Sequence, residues 1–95
     1  QDVLDYLLHI VQATRNHELV EVGVSPRGAI ALLRASQSYA FLNQRDFIIP
    51  EDIKHLAKHV LSHRLTLTLE GGIKTTKAAV LTHILDDVPV PVEMG

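Results

Sequence analysis

The sequence contains no cysteine, few glycines and prolines, and no long apolar run. Without cysteine there is no disulfide framework, so a reducing compartment is allowed. No hydrophobic stretch approaches the roughly 20 residues needed to span a bilayer, and no signal-peptide pattern opens the chain. The net charge of −2 lacks the positive excess of a protein that binds nucleic acid by neutralising phosphates. Internal repeats and low-complexity segments are also missing. So is an initiator methionine: Gln1 falls inside a helical pattern, and the chain is expected to be a piece of a longer protein. What remains is 95 residues, 46% hydrophobic and 21% charged, the composition of one small globular domain with a modest core.

Hydrophobic spacing predicts an all-α fold of four helices, with room for a fifth. From Asp2 to about Arg15, apolar residues at Val3, Leu4, Leu7, Leu8, Ile10 and Val11 follow a helical period. Asn16 to Val24 reads as a loop. Ser25 then fits an N-cap, Pro26 the first helical position and Gly28 the third, opening a helix to about Leu42. Apolar and small residues (Ala29, Ile30, Leu32, Leu33, Ala35, Tyr39, Ala40, Phe41, Leu42) cover most of its circumference, which predicts a central helix packed on several sides. Phe47 to Ile49 precedes a proline and reads as extended. Pro50, Glu51 and Asp52 open a third helix, with Ile53, Leu56, Ala57, Val60 and Leu61 inside and Lys54, His55, Lys58 and His59 outside. Leu65, Leu67 and Leu69 alternate with threonines, an extended signal over 65–69 ended by Gly71 and Gly72. A last helix starts near Thr75 or Thr76, buries Ala79, Leu81, Ile84, Leu85 and Val88, and stops at Pro89, leaving an extended "VPVP".

Three features could carry chemistry. Arg27 stands in the first turn of the second helix, where free backbone N–H groups and the dipole favour an anion and disfavour a cation. A bound phosphate would reconcile that placement, because a guanidinium offers phosphate oxygens a planar fork of donors. The alternative is an exposed arginine paired with Glu18 or Glu21. His55, His59 and His63 recur every four residues, a spacing at which two histidines can share a metal. All three drift around the helix, however, on its polar side, with no further ligand in view, and no metal site is assigned. Catalysis by these residues alone has no support. There is no phosphate-cradling glycine loop and no cysteine, and Ser25, Ser36, Ser38 and Ser62 lack an evident base.

Five segments, in order, carry a family resemblance: "ATR" at Ala13 to Arg15, "GVSPRGAIALLRAS" from Gly23, "NQRDFIIPEDI" from Asn43, "VLSHRL" at Val60 to Leu65, and "ILDDVPVP" from Ile84. Together they resemble the C-terminal helical lid of a MoxR-type AAA+ ATPase, over 1–92, with 93–95 left as a tail. The resemblance implies a lid packed on an α/β core that carries the Walker motifs, with nucleotide between them. Arg27 would then be the sensor 2 arginine, acting on the ATP phosphates only in the parent protein. Ser25 and Pro26 would aim it, and Gly23 and Val24 would lie near the nucleotide. ATP and Mg would be cofactors of the parent, not tightly held by this piece. The family implies a cytoplasmic homo-oligomeric ring, typically a hexamer, that remodels or matures partner proteins, among them proteins with von Willebrand A domains. Nucleic acid is not among the expected partners, and no membrane span is expected.

The chain departs from the family at Gly28, where alanine is frequent. No Walker motif, sensor 1 or arginine finger lies in these residues, so ATP hydrolysis belongs to the parent. The "SHR" histidine and arginine, His63 and Arg64, fit packing or pairing within the lid. Two other readings compete. Helices joined through "FIIPEDI" also resemble a histone-fold-like DNA-binding or dimerisation module, although such a module should be basic. A purely structural interaction module, with Arg27 paired inside the domain, is the other.

Overall fold

The computed structural model describes residues 2–91; the tail expected at 93–95 lies outside the described residues. Five helices and a two-stranded antiparallel sheet follow in the order α1 (Asp2–Asn16), β1 (Val20–Val22), α2 (Pro26–Leu42), α3 (Pro50–Leu61), β2 (Thr66–Leu67), α4 (Leu69–Lys74) and α5 (Lys77–Asp87). The all-α expectation holds, with the fifth helix present.

Helix α1 begins with Asp2 and Asp5 and ends with Arg15, charges that suit the two ends of the helix dipole. Its buried residues Tyr6, Leu7, Ile10, Val11 and Thr14 recur at three- and four-residue intervals and make one face. This helix, and not α2, is the hub: it touches α2, α3, α5 and β1. The core joins that face to Leu32 of α2, Ile53, Ala57 and Leu61 of α3, and Val80, Leu81, Ile84 and Leu85 of α5.

The expectation that α2 is packed on several sides is corrected. Its buried residues are Gly28, Leu32, Ser36 and Ala40, a strict four-residue ladder and therefore a single stripe. Ile30, Phe41 and Leu42 are 52%, 76% and 79% exposed. A domain this small has too few other elements to cover more than one side of a seventeen-residue helix. Small residues in the stripe let α2 lie close along α3, its principal neighbour.

The α2–α3 link is held by polar contacts that hydrophobic spacing does not report. Gln44 takes a left-handed φ of 64°, and the Arg45 amide donates back to the Ala40 carbonyl at 2.9 Å. Both terminal nitrogens of Arg45 donate to Asp52, each at 2.7 Å. Asp52 also accepts from the Ile49 amide at 2.9 Å, so one buried carboxylate caps α3 and anchors the link. Ile49 is extended, as expected, but 47–49 pairs with no strand among the described residues, and Phe47 is 59% exposed.

Two further corrections concern extended structure. The stretch read as a loop contains β1, whose Val20 and Val22 pair with Leu67 and Thr66. The run expected to stay extended through residue 69 ends at Leu67, because the Thr68 hydroxyl accepts from the Gly71 amide at 2.9 Å and starts α4. Gly71 and Gly72 thus lie inside a short helix. In α5 the Thr76 hydroxyl caps the helix, and Val80, Leu81, Ile84 and Leu85 are buried; Ala79, expected inside, is exposed because it falls off that face.

Candidate nucleotide-facing site

The start of α2 is built as its residues predict. Ser25 is extended, with φ −77° and ψ 166°, and its hydroxyl accepts from the Gly28 amide at 3.3 Å. Pro26 fills the first helical position, where its missing N–H costs nothing. Arg27 follows, exposed, with Ser25 and Pro26 exposed beside it. Among the described residues the ion pairs are Arg45–Asp52, Lys74–Glu70 and His83–Asp87, so neither Glu18 nor Glu21 pairs with Arg27. The cation remains at the positive end of a helix dipole without an acid partner among those residues.

Val24, just ahead of the cap, is fixed from three directions. Its side chain is fully buried in the core. Its amide donates to the Thr14 hydroxyl at 3.0 Å, and that hydroxyl donates to the Val11 carbonyl at 2.6 Å. Its carbonyl accepts from Nε of Arg15 at 2.9 Å. Both backbone polar groups of one residue are therefore satisfied by the last turn of α1, as a buried peptide requires. Gly23 lies directly on that turn: a Cβ there would stand 2.7 Å from Cα and Cγ of Arg15.

Gly28 is equally constrained. A Cβ there would meet Cγ1 of Val24 at 2.7 Å and Cδ of Arg64 at 3.2 Å. The stem of Arg64 thus crosses the first turn of α2, adding a second exposed arginine to the neighbourhood of Arg27. The Gly28 and Ala29 amides are taken by Ser25 and Pro26 has none, so what this surface offers an anion is the dipole end and the exposed Arg27 guanidinium.

The candidate residues Gly23, Val24, Ser25, Pro26 and Arg27 run consecutively into the first turn of α2, with Val24 buried and Ser25, Pro26 and Arg27 exposed. The sequence alone gives no task to Thr14 and Arg15 and assigns Arg64 to packing or pairing. The signal for the first two was the "ATR" triplet, whose meaning depends on a tertiary contact. The histidines are exposed, and the rings of His55 and His59 stand 6.3 Å apart with Tyr39 stacked on His55 at 4.9 Å. Among the described residues no group of three His, Cys, Asp or Glu side chains is placed to hold a metal. An apolar groove of about 540 Å³ lined by Val3, Leu4, Leu33, Phe47 and Ile48 contains none of the candidate residues.

The family model of the AAA lid domain matches residues 12–84. The chain belongs to the AAA lid domains. Its relatives connect this lid to MoxR-type ATPases. It is 46% identical over 92 residues to the uncharacterized protein YeaC of Bacillus subtilis, covering 96% of this chain and 29% of that one. To the chaperone MoxR1 of Mycobacterium tuberculosis it is 31% identical over 99 residues, covering 94% of this chain and 26% of the relative. To the protein MoxR of Methylorubrum extorquens it is 45% identical over 77 residues, covering 77% and 22%. The lid therefore spans between 22% and 29% of the length of these relatives. A crystal structure of a Cytophaga hutchinsonii protein assigned as an ATPase superposes with a TM-score of 0.88 at 30% identity, over 97% of this chain and 31% of that one. The match lends no support to a histone-fold-like module. No helix among the described residues is long and apolar enough to cross a membrane.

Proposed function

We propose that this lid senses ATP bound to the AAA+ core of its parent protein and passes the nucleotide state on as a change in lid position. The reading rests chiefly on Arg27, an exposed guanidinium at the start of α2 with no acid partner among the described residues. The donors present suit a nucleotide phosphate: Arg27 would hold phosphate oxygens, Ser25 and Pro26 set the direction in which it points, and the backbone at Gly23 and Val24 borders the nucleotide. In the parent, ATP with Mg supplies a phosphoanhydride whose hydrolysis alters the charge that Arg27 meets. A contact available only with nucleotide bound shifts the lid toward a closed arrangement and relaxes when it is lost.

On this reading the lid comprises 1–92, and the parent is an ATP hydrolase working as a cytoplasmic ring, a hexamer in the form expected from its family. The ring performs chaperone-like remodelling or maturation of partner proteins, proteins with von Willebrand A domains among them. The name of one relative, chaperone MoxR1, supports the chaperone-like part of that assignment. The test is ATP affinity of the full-length parent with and without Arg27→Ala. Loss of one charge-assisted hydrogen bond, worth about 1.5–3 kcal/mol, should weaken binding about tenfold or more. Unchanged affinity and unchanged turnover would leave a structural interaction module as the better account.

A further inference from the structure

We propose that Thr14 and Arg15 are positioning residues for Arg27, making the last turn of α1 and the start of α2 one rigid unit in the nucleotide response. This rests on the reading of Arg27 as a phosphate contact. Two hydrogen bonds converge on Val24, the residue that leads into the helix cap, and the glycine before it packs on the same turn of α1. The Thr14 hydroxyl, fully buried, accepts the Val24 amide at 3.0 Å while donating to Val11 within its own helix, so its orientation is set from both sides. Arg15 takes the Val24 carbonyl through Nε at 2.9 Å, which uses the part of the guanidinium nearest the stem. Gly23 removes the only side chain that would separate the two segments, since any Cβ there would collide with the Arg15 backbone.

The consequence for Arg27 follows from geometry. Val24 is three residues upstream, and Ser25 and Pro26 have little freedom between them: one is the extended N-cap and the other has a ring-fixed φ. Fixing the peptide planes on both sides of Val24 therefore fixes where α2 begins and the direction in which its second residue leaves the helix. With α1 packed against α2, α3 and α5, Arg27 is tied through Thr14 and Arg15 to the body of the lid. A phosphate pulling on Arg27 would then move the whole domain, not fray one helix end. Without the clamp the first turn of α2 would retain its cap but lose its registry with α1.

The experiment uses the full-length parent and measures kcat and KM for ATP in assembled rings of five proteins: wild type, Thr14→Val, Thr14→Ser, Arg15→Met and Arg27→Ala. A sixth combines Thr14→Val with Arg27→Ala. Thr14→Val keeps the volume and removes the hydroxyl; Thr14→Ser restores it; Arg15→Met keeps a stem without the donor, at an exposed position that tolerates change. Misplacement of a contact by an ångström can cost as much as a hundredfold. We expect kcat to fall roughly tenfold in Thr14→Val and Arg15→Met, with Thr14→Ser near wild type and no further loss when Thr14→Val is added to Arg27→Ala. A Thr14→Val ring that fails to assemble leaves Arg15→Met to decide. Wild-type kcat in folded clamp variants, with Arg27→Ala impaired, overturns the positioning role alone. Full additivity of Thr14→Val and Arg27→Ala also overturns it. Wild-type kcat in Arg27→Ala itself overturns the sensing role and this inference with it.

Discussion

Gly28 sets two physical effects against each other, and distance decides between them. Replacing glycine by alanine in a helix ordinarily stabilises by up to about 1 kcal/mol, because the unfolded chain loses freedom. Here the new methyl would stand 2.7 Å from Cγ1 of Val24, which is fully buried and cannot step aside. The neighbouring Arg64 Cδ, at 3.2 Å, belongs to a long exposed side chain and can. Overpacking of this kind costs about 1–3 kcal/mol, so Gly28→Ala should destabilise by roughly 1 kcal/mol net. Val24→Ala alone removes two buried carbons at about 0.8 kcal/mol each and leaves a void, for a loss of about 2 kcal/mol. Combining the two substitutions places the methyl introduced at position 28 where Cγ1 had been. The double variant should therefore lose about 1–2 kcal/mol instead of the additive sum of about 3 kcal/mol. Urea denaturation of the four proteins, compared at constant m, measures the cycle. Additivity within about 0.5 kcal/mol would refute the steric argument, and so would a more stable Gly28→Ala.

Two other substitutions test the interior. The Arg45 guanidinium hydrogen-bonded to Asp52 holds that carboxyl below its usual range, assisted by the Ile49 amide and opposed by burial. A depressed folded-state value adds stability above the unfolded carboxyl's value of about 3.9 and loses it as pH falls through the folded one. Asp52→Asn should thus cost about 2 kcal/mol at neutral pH and flatten the acid limb of the stability profile; an unchanged acid limb would contradict the pair's role. The Tyr6 hydroxyl is buried and finds no hydrogen-bond partner among the described residues. Tyr6→Phe should raise Tm by about 4–8 °C, the equivalent of roughly 1 kcal/mol, whereas a lower Tm would mean that the hydroxyl is bonded.

The parts of the fold that were legible in the sequence are those written in local grammar. Ser25-Pro26 and Pro50-Glu51-Asp52 start helices wherever they occur, and the stripe of Ile53, Ala57 and Leu61 has a period that only a helix explains. What was not legible depended on partners distant in sequence. β1 is three residues long and exists because Thr66 and Leu67 lie across from it. The exposure of Phe41 and Leu42 reflects how few neighbours a lid has, which hydrophobicity alone does not disclose. Asp52 is recognisable as a first-turn acid, but its pairing with Arg45 requires the turn at Gln44 to bring the arginine back. The same holds at the site: Arg27 was visible from its position in the helix, whereas Thr14 and Arg15 acquired a task only when α1 met Val24.

The central claim is that Arg27 answers to a nucleotide held by the rest of the parent protein. Its most direct measurement is ATP turnover by full-length Arg27→Ala rings, with lid folding and assembly verified in the same sample. The account predicts intact rings whose turnover falls about tenfold or more, in line with the loss of a charge-assisted contact to phosphate. Intact rings that hydrolyse ATP at the wild-type rate would contradict it.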